Sequence, residues 1–136
     1  MNNKTFWIGW LVVYVIVQAL GFLIHEVMMG DTYEALASVF RSEAQMQEMI
    51  PIMFVSAAVF LFIFCYVFTQ GREGTGVMEG VRYGILMGVF LALPTSVDAY
   101  VIYPITSDVA VVWFISAVVS LAIAGAVFSV IYKPSD

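Results

Sequence analysis

The chain has 136 residues, of which 62% are hydrophobic and 11% charged, and its net charge is -5. Soluble domains average about half apolar and a quarter charged residues, so a water-soluble globule of this length is excluded because its core could not hide so much apolar surface. The apolar runs are also too long for the ~10-residue strands of a membrane barrel and lack their alternation, which leaves an all-α fold.

Four runs, over residues 5–28, 49–70, 80–103 and 109–132, are each long enough to cross a bilayer, which takes about 20 apolar residues at ~1.5 Å rise. The expectation is a four-transmembrane-helix antiparallel bundle forming one integral membrane domain over residues 1–136. The first run follows a short head ending in Lys4, and Ala19-Leu20-Gly21 loosely resembles a cleavage site. Its apolar stretch exceeds the roughly 7–15 residues of a secretory signal, so it reads as a span. The third run carries Arg82 near its start and Asp98 near its end, and is assigned on length and context.

Lys4, Arg72, Arg82 and Lys133 fall on one side of this arrangement and only Arg41 on the other. Basic residues mark the cytoplasmic face, which puts both termini and the turn around Gly71 to Gly76 there. The opposite side carries Asp31, Glu34, Glu43 and Glu48 in the first connection. Tyr33, Leu36, Ala37 and Phe40 sit at near-helical spacing in that connection and predict a short helix lying on the membrane surface over this extracytoplasmic loop. Such a helix either covers the end of the bundle or serves as a docking surface or lid.

Along the first helix, Tyr14, Gln18, Gly21 and His25 share one face. On the third helix Pro94 removes a backbone donor and should kink the chain four residues before Asp98. If these faces converge, Gln18, His25, Glu26, Asp98 and Tyr100 form a polar cluster in the outer leaflet. An imidazole beside a carboxylate can trade a proton near neutral pH, hold a cation or bind a polar head group. It can equally be a structural ion pair locking the first helix to the third.

Gly80, Gly84 and Gly88 repeat every fourth residue, a GxxxG pattern that lets two helix backbones approach closely. The matching strip on the fourth helix is Ser116, Ser120 and Ala124, with Gly125 and Ser129 beside it. Packing within one chain is the simplest reading, and a homodimer through the glycines is the other. Glu79 and Arg82 are spaced to pair along the helix.

Counting removes several chemistries. Cys65 is the only cysteine, so a redox cysteine pair is excluded. His25 is the only histidine and cannot supply two axial haem ligands within one chain. Gly74-x-Gly76-x-x-x-Gly80 is not a nucleotide-cradling spacing. Met28, Met29, Met46, Met49 and Met53 lack a metal-ligand repeat and read as apolar filling. Neither a metal site nor a nucleic-acid partner is expected, the residues name no cofactor, and Trp7, Trp10, Tyr100, Tyr103, Trp113 and Tyr132 read as interfacial anchors.

By Glu79-Gly80-Val81-Arg82-Tyr83-Gly84, the stretch from Pro94 to Tyr103-Pro104-Ile105, and the Ala/Gly-rich last helix, the chain resembles small uncharacterised bacterial four-helix membrane proteins grouped as domains of unknown function. The resemblance covers most of the length and implies a bacterial inner-membrane protein. Small four-helix drug exporters, similar in size, place an essential Glu in the middle of their first helix, whereas Gln18 holds the middle here and Glu26 the end. The leading expectation is a non-enzymatic accessory or scaffolding subunit, in a homodimer or a larger membrane complex. The alternative is a homo-oligomeric transporter or channel for a proton, cation or small solute.

Overall fold

The structure, a computed structural model, describes residues 3–133, and all regular structure among them is helical. Helix α1 (Asn3–Phe22) runs into a π-helical turn at Leu23–Met28, and a short α2 (Gly30–Ala35) follows. Helix α3 (Glu43–Gly71) is the longest, and α4 (Val77–Ala92) continues through a second π-helical turn at Leu93–Val97 into α5 (Asp98–Ile102). Helix α6 (Ser107–Ile131) closes the chain. Four stretches, Asn3–Met28, Glu43–Gly71, Val77–Ile102 and Ser107–Ile131, are long and apolar enough to cross a membrane. They define a "lid end" of the bundle, where α2 lies, and a "termini end" opposite.

The second span starts at Glu43, ahead of residue 49 where hydropathy alone begins it. Ser42 Oγ accepts from the Gln45 N–H at 3.4 Å, and Gln45 Oε1 accepts from the Ser42 N–H at 3.3 Å. This reciprocal capping box satisfies two donors that the helix start would otherwise leave open, so the helix forms through a polar stretch. The surface helix in the first connection is correspondingly short, with Leu36, Val39 and Phe40 continuing as turns that fold back on the bundle.

Helix α6 is the centre of the molecule, packing tightly on α4 and also on α1. The close approach to α4 rests on glycine. A Cβ on Gly80 would run into the Gly125 carbonyl and sit 2.6 Å from Ser129 Oγ, one on Gly84 would meet Leu121 and Ala122, and one on Gly88 would lie 2.6 Å from Val118 Cα. Helix α6 therefore meets α4 through the backbone at Ala117, Val118, Leu121, Ala122 and Gly125 and through the Ser129 hydroxyl; Ser116 and Ser120 line a cavity, and Ala124 is in the core.

Helix α3 stands further off, and aromatic side chains fill the distance. Phe6 meets Phe62 and Phe128 edge-on, Phe68 meets Phe128 and Tyr83, and Phe64 packs against Tyr83. Three polar tips fasten the backbone of α3: Trp10 Nε1–H donates to the Ala58 carbonyl, Tyr14 to that of Phe54 and Tyr83 to that of Phe64. Two of these ties, at Ala58 and Phe64, fall in the C-terminal half of α3, and the one at Phe54 lies furthest toward its N-terminus. Residues 41–56 are exposed throughout, whereas Leu61, Phe64, Cys65 and Phe68 are buried.

Buried positions recur every fourth residue. On the third span they are Gly80, Gly84, Gly88, Ala92 and Ser96, and on the first Gly9 and Val13 lead along the same ridge to Val17, Gly21 and His25. Such every-fourth ridges are the surfaces that interdigitate when helices pack. At the termini end the ridges carry Val13, Leu121 and Phe128 and the space between helices is filled. Toward the lid end they carry Gly21, Ser96, Ser116, Ala117 and Ser120, and a cavity remains.

Candidate functional site

The cavity has a volume of about 390 Å³ and lies between the last turns of the first span, the Leu93–Val97 turn and the middle of α6. Both π-helical turns border it. In each, a backbone N–H reaches five residues back: Met29 to the Ile24 carbonyl at 3.0 Å, and Asp98 to that of Leu93. Pro94 explains the second turn, since it has no N–H to close an α-helical bond and the helix widens around it. Thr95 Oγ1 donates instead to the Leu91 carbonyl at 2.8 Å.

Ser96, next in the chain, is 1% exposed, and its hydroxyl has no hydrogen-bond partner among the described residues. It lines the cavity wall together with Thr95, Ser116 and Ser120. Ser116 Oγ donates to the Val112 carbonyl, one turn back on its own helix. The wall is thus apolar with hydroxyls set into it, and neither a carboxylate nor a Lys or Arg is among its lining residues.

At the lid end the cavity is roofed by a hydrogen-bonded trio. Trp113 Nε1–H donates to the Tyr33 hydroxyl at 2.7 Å, and His25 Nδ1 lies 2.7 Å from the same oxygen. The Tyr33 hydroxyl also points its proton at Met29 Sδ, 3.4 Å away. One phenolic proton therefore serves either the His25 imidazole or the Met29 thioether, and which one depends on the imidazole tautomer. Burial pushes the Tyr33 phenol above its ordinary pKa, against the opposing hydrogen bond from Trp113, and the nearby Glu26 charge pushes the same way. Tyr33, stacked on His25 with ring planes 12° apart, and Phe40 pack with Met29, Ala99, Ile105 and Val109 into a small second core under the first connection. A further apolar groove of about 470 Å³ lies on the other side of Trp113, between Phe40 and Pro94.

Of the five residues expected to form a polar cluster, only His25 lines this cavity. Asp98 and Tyr100 are exposed on α5, Glu26 is exposed beside His25, and Gln18 is half-buried but outside the lining. The reason is the ridge. Its fourth-residue step carries the buried face from Gly80 to Ser96, and at ~100° per residue Asp98, two positions on, points nearly the opposite way. Ser96 and Tyr33 were missed as site residues; extending the glycine stripe by fours reaches Ala92 and Ser96 directly. Glu79, expected to pair with Arg82, instead accepts the backbone N–H groups of Glu73 and Thr75 and steadies the turn where Gly74 and Gly76 adopt positive φ. Arg82 donates to Thr75 Oγ1 at 3.5 Å.

Among the described residues, groups of three or more His, Cys, Asp or Glu side chains that could hold a metal are absent. What the site can do is accept a small, mostly apolar guest and offer it hydroxyl groups. Comparison with protein-family models, with curated proteins and with solved structures finds no match to this chain.

Proposed function

We propose that this membrane helical protein is a non-enzymatic accessory or scaffolding subunit of a bacterial inner membrane, with both termini cytoplasmic. Its role is to hold one transmembrane helix of a larger membrane protein along the free half of α3. The observation that carries this reading is the contrast within α3. Its C-terminal half is locked by Leu61, Phe64 and Phe68, while residues 43–53 are exposed and lie ahead of the Tyr14 bond to the Phe54 carbonyl that fastens α3 to α1. Met46, Met49 and Met53 on that free half have unbranched, polarisable side chains that adapt to a partner's surface. Pro51 in the same half has no N–H to donate, so it removes one backbone hydrogen bond from this part of the helix.

A photoreactive residue at position 53, with position 119 on α6 as the control, tests this in native membranes. The reading expects a single adduct from position 53 whose peptides map to one apolar segment of about 20 residues in one membrane protein, and none from position 119. A second copy of this chain in the adduct, or equal scatter from both positions, sinks it.

The alternative of a homo-oligomeric transporter draws on the cavity that His25 lines. Toward the termini end, however, the route meets Phe6, Phe64 and Phe128, each fully buried in contact with the others' cluster. Flux through reconstituted protein that is lost on His25→Gln would favour transport over the accessory role.

A further inference from the structure

We propose that the cavity between α1, the Leu93–Val97 turn and α6 is a binding site for a neutral lipid alcohol: a single slender apolar chain with a hydroxyl head, taken laterally from the bilayer and anchored on Ser96. The inference goes beyond the accessory role and does not depend on it, since it concerns a different surface and needs no partner protein.

The direction of entry follows from what closes the cavity. Toward the lid end lie His25 and Trp113, both bonded to Tyr33, and toward the termini end the bundle is filled by Val13, Leu121 and the aromatic core. Helix α3 contributes no lining residue, and its half at this level is the exposed one. The mouth therefore opens sideways, where α3 stands away, onto the apolar interior of the membrane.

The head group follows from the donors and acceptors. Trp113 and His25 Nδ1 are committed to Tyr33, while Thr95 and Ser116 donate to their own helix carbonyls but keep lone pairs that can accept. Ser96 has a donor and an acceptor, both unused, on a side chain that is 1% exposed. A buried hydroxyl left unpaired is costly, and inside a bilayer no bulk water relieves it. A ligand hydroxyl can accept from Ser96 and donate to a neighbouring serine or threonine oxygen. A carboxylate or ammonium head would enter a wall without Lys, Arg, Asp or Glu, whose one titratable side chain, His25, has its Nδ1 turned to Tyr33.

The tail follows from Val17, Gly21, Ile24 and Ala117, whose apolar surfaces run along the rest of the cavity. Its volume of about 390 Å³ sits at the small end of the usual range for ligand sites, roughly 300–1,000 Å³, which suits one chain rather than two. At Gly21 an added Cβ would meet nothing within 4 Å, so the helix itself does not need the glycine and the open space lies where a chain would pass.

The test uses the full chain in phosphatidylcholine nanodiscs with a diazirine-bearing hexadecanol, and the matching fatty acid and alkylammonium probes. Expected is saturable labelling by the alcohol on peptides spanning residues 17–25 and 113–120, displaced by plain hexadecanol. Ser96→Ala should lower apparent affinity about three- to tenfold, the worth of one hydrogen bond. Gly21→Phe, which fills the space, should abolish the saturable component while leaving the circular dichroism unchanged. Labelling that is non-saturable and spread over residues 41–56 would reduce the site to annular lipid. Equal labelling by the charged probes, or full affinity in Ser96→Ala, would overturn the assignment of the head group and with it the proposal.

Discussion

The Trp113 indole donates to the Tyr33 hydroxyl at 2.7 Å across a sequence separation of 80 residues, fastening the first connection to the central helix. Because the same oxygen meets His25 Nδ1, three elements converge on one atom. Tyr33→Phe keeps the ring and its stacking but strips all these bonds, leaving a part-buried indole N–H unpaired. The expected loss is about 1–3 kcal/mol, read as a lower thermal midpoint in detergent, together with faster proteolysis in the first connection.

The same residue sets an alkaline limit. Its folded-state pKa lies above the ordinary value of 10.0 because burial opposes the phenolate. The contribution is therefore fully present below about pH 10 and is lost as pH rises through the folded-state value. Stability curves of the native chain should fall more steeply than those of Tyr33→Phe in that window; parallel curves would remove Tyr33 as the cause.

Two helical glycines should respond to the same substitution with opposite sign. A Cβ at Gly84 collides with the Leu121 backbone and lies 2.7 Å from Ala122 Cα, neither of which can rotate away. Gly84→Ala should therefore force α4 from α6 and cost at least about 1–3 kcal/mol. At Gly21 there is nothing within 4 Å of the added atom, so Gly21→Ala should stabilise the helix by about 0.5–1 kcal/mol through its backbone entropy. Denaturation of the two variants in the same detergent checks both at once.

The all-α class and the four apolar spans were legible because length and hydropathy act over whole segments and leave few alternatives. Position along a helix face was less so. The polar side chains His25 and Asp98 were joined by carrying the helix phase past the expected Pro94 kink, yet the buried face follows every fourth residue to Ser96 and the Leu93–Val97 turn widens the helix. Pro94 signals that a bond is missing but not how the chain absorbs the loss. The hydroxyl of Ser96 was invisible for a different reason: a lone serine in an apolar run normally bonds back to its own helix, as Thr95 and Ser116 do. That Tyr33 turns inward depends on the tertiary fold of the first connection, which local periodicity does not encode.

The start of α3 is a local effect and should fail locally. Ser42→Ala removes the acceptor of the Gln45 N–H while leaving the apolar run intact. The cost expected for a lost cap is about 0.5–2 kcal/mol. Since residues 41–53 are exposed and lie ahead of the Tyr14 bond to Phe54, that cost should appear as fraying of the first turn rather than as a lower global midpoint. Amide exchange should accelerate at Gln45 and Met46 and stay unchanged at Phe64; acceleration at both would mean that the free half of α3 is coupled to the core.

Asp98 separates a working carboxylate from a tolerated one. It is exposed at the start of α5, and no hydrogen bond or ion pair joins it to His25 among the described residues. Asp98→Asn should therefore cost no stability, because the carboxylate has no partner to lose and its charge is unfavourable within a span. Ser96→Asp, two residues earlier, places an unpaired carboxylate on the buried ridge and should cost about 3 kcal/mol. Thermal scans of both variants decide the matter. Near-equal losses would return Asp98 to the interior and restore its pairing with His25, whereas a silent Asp98→Asn beside a destabilised Ser96→Asp fixes the inward face of the third span on Ser96.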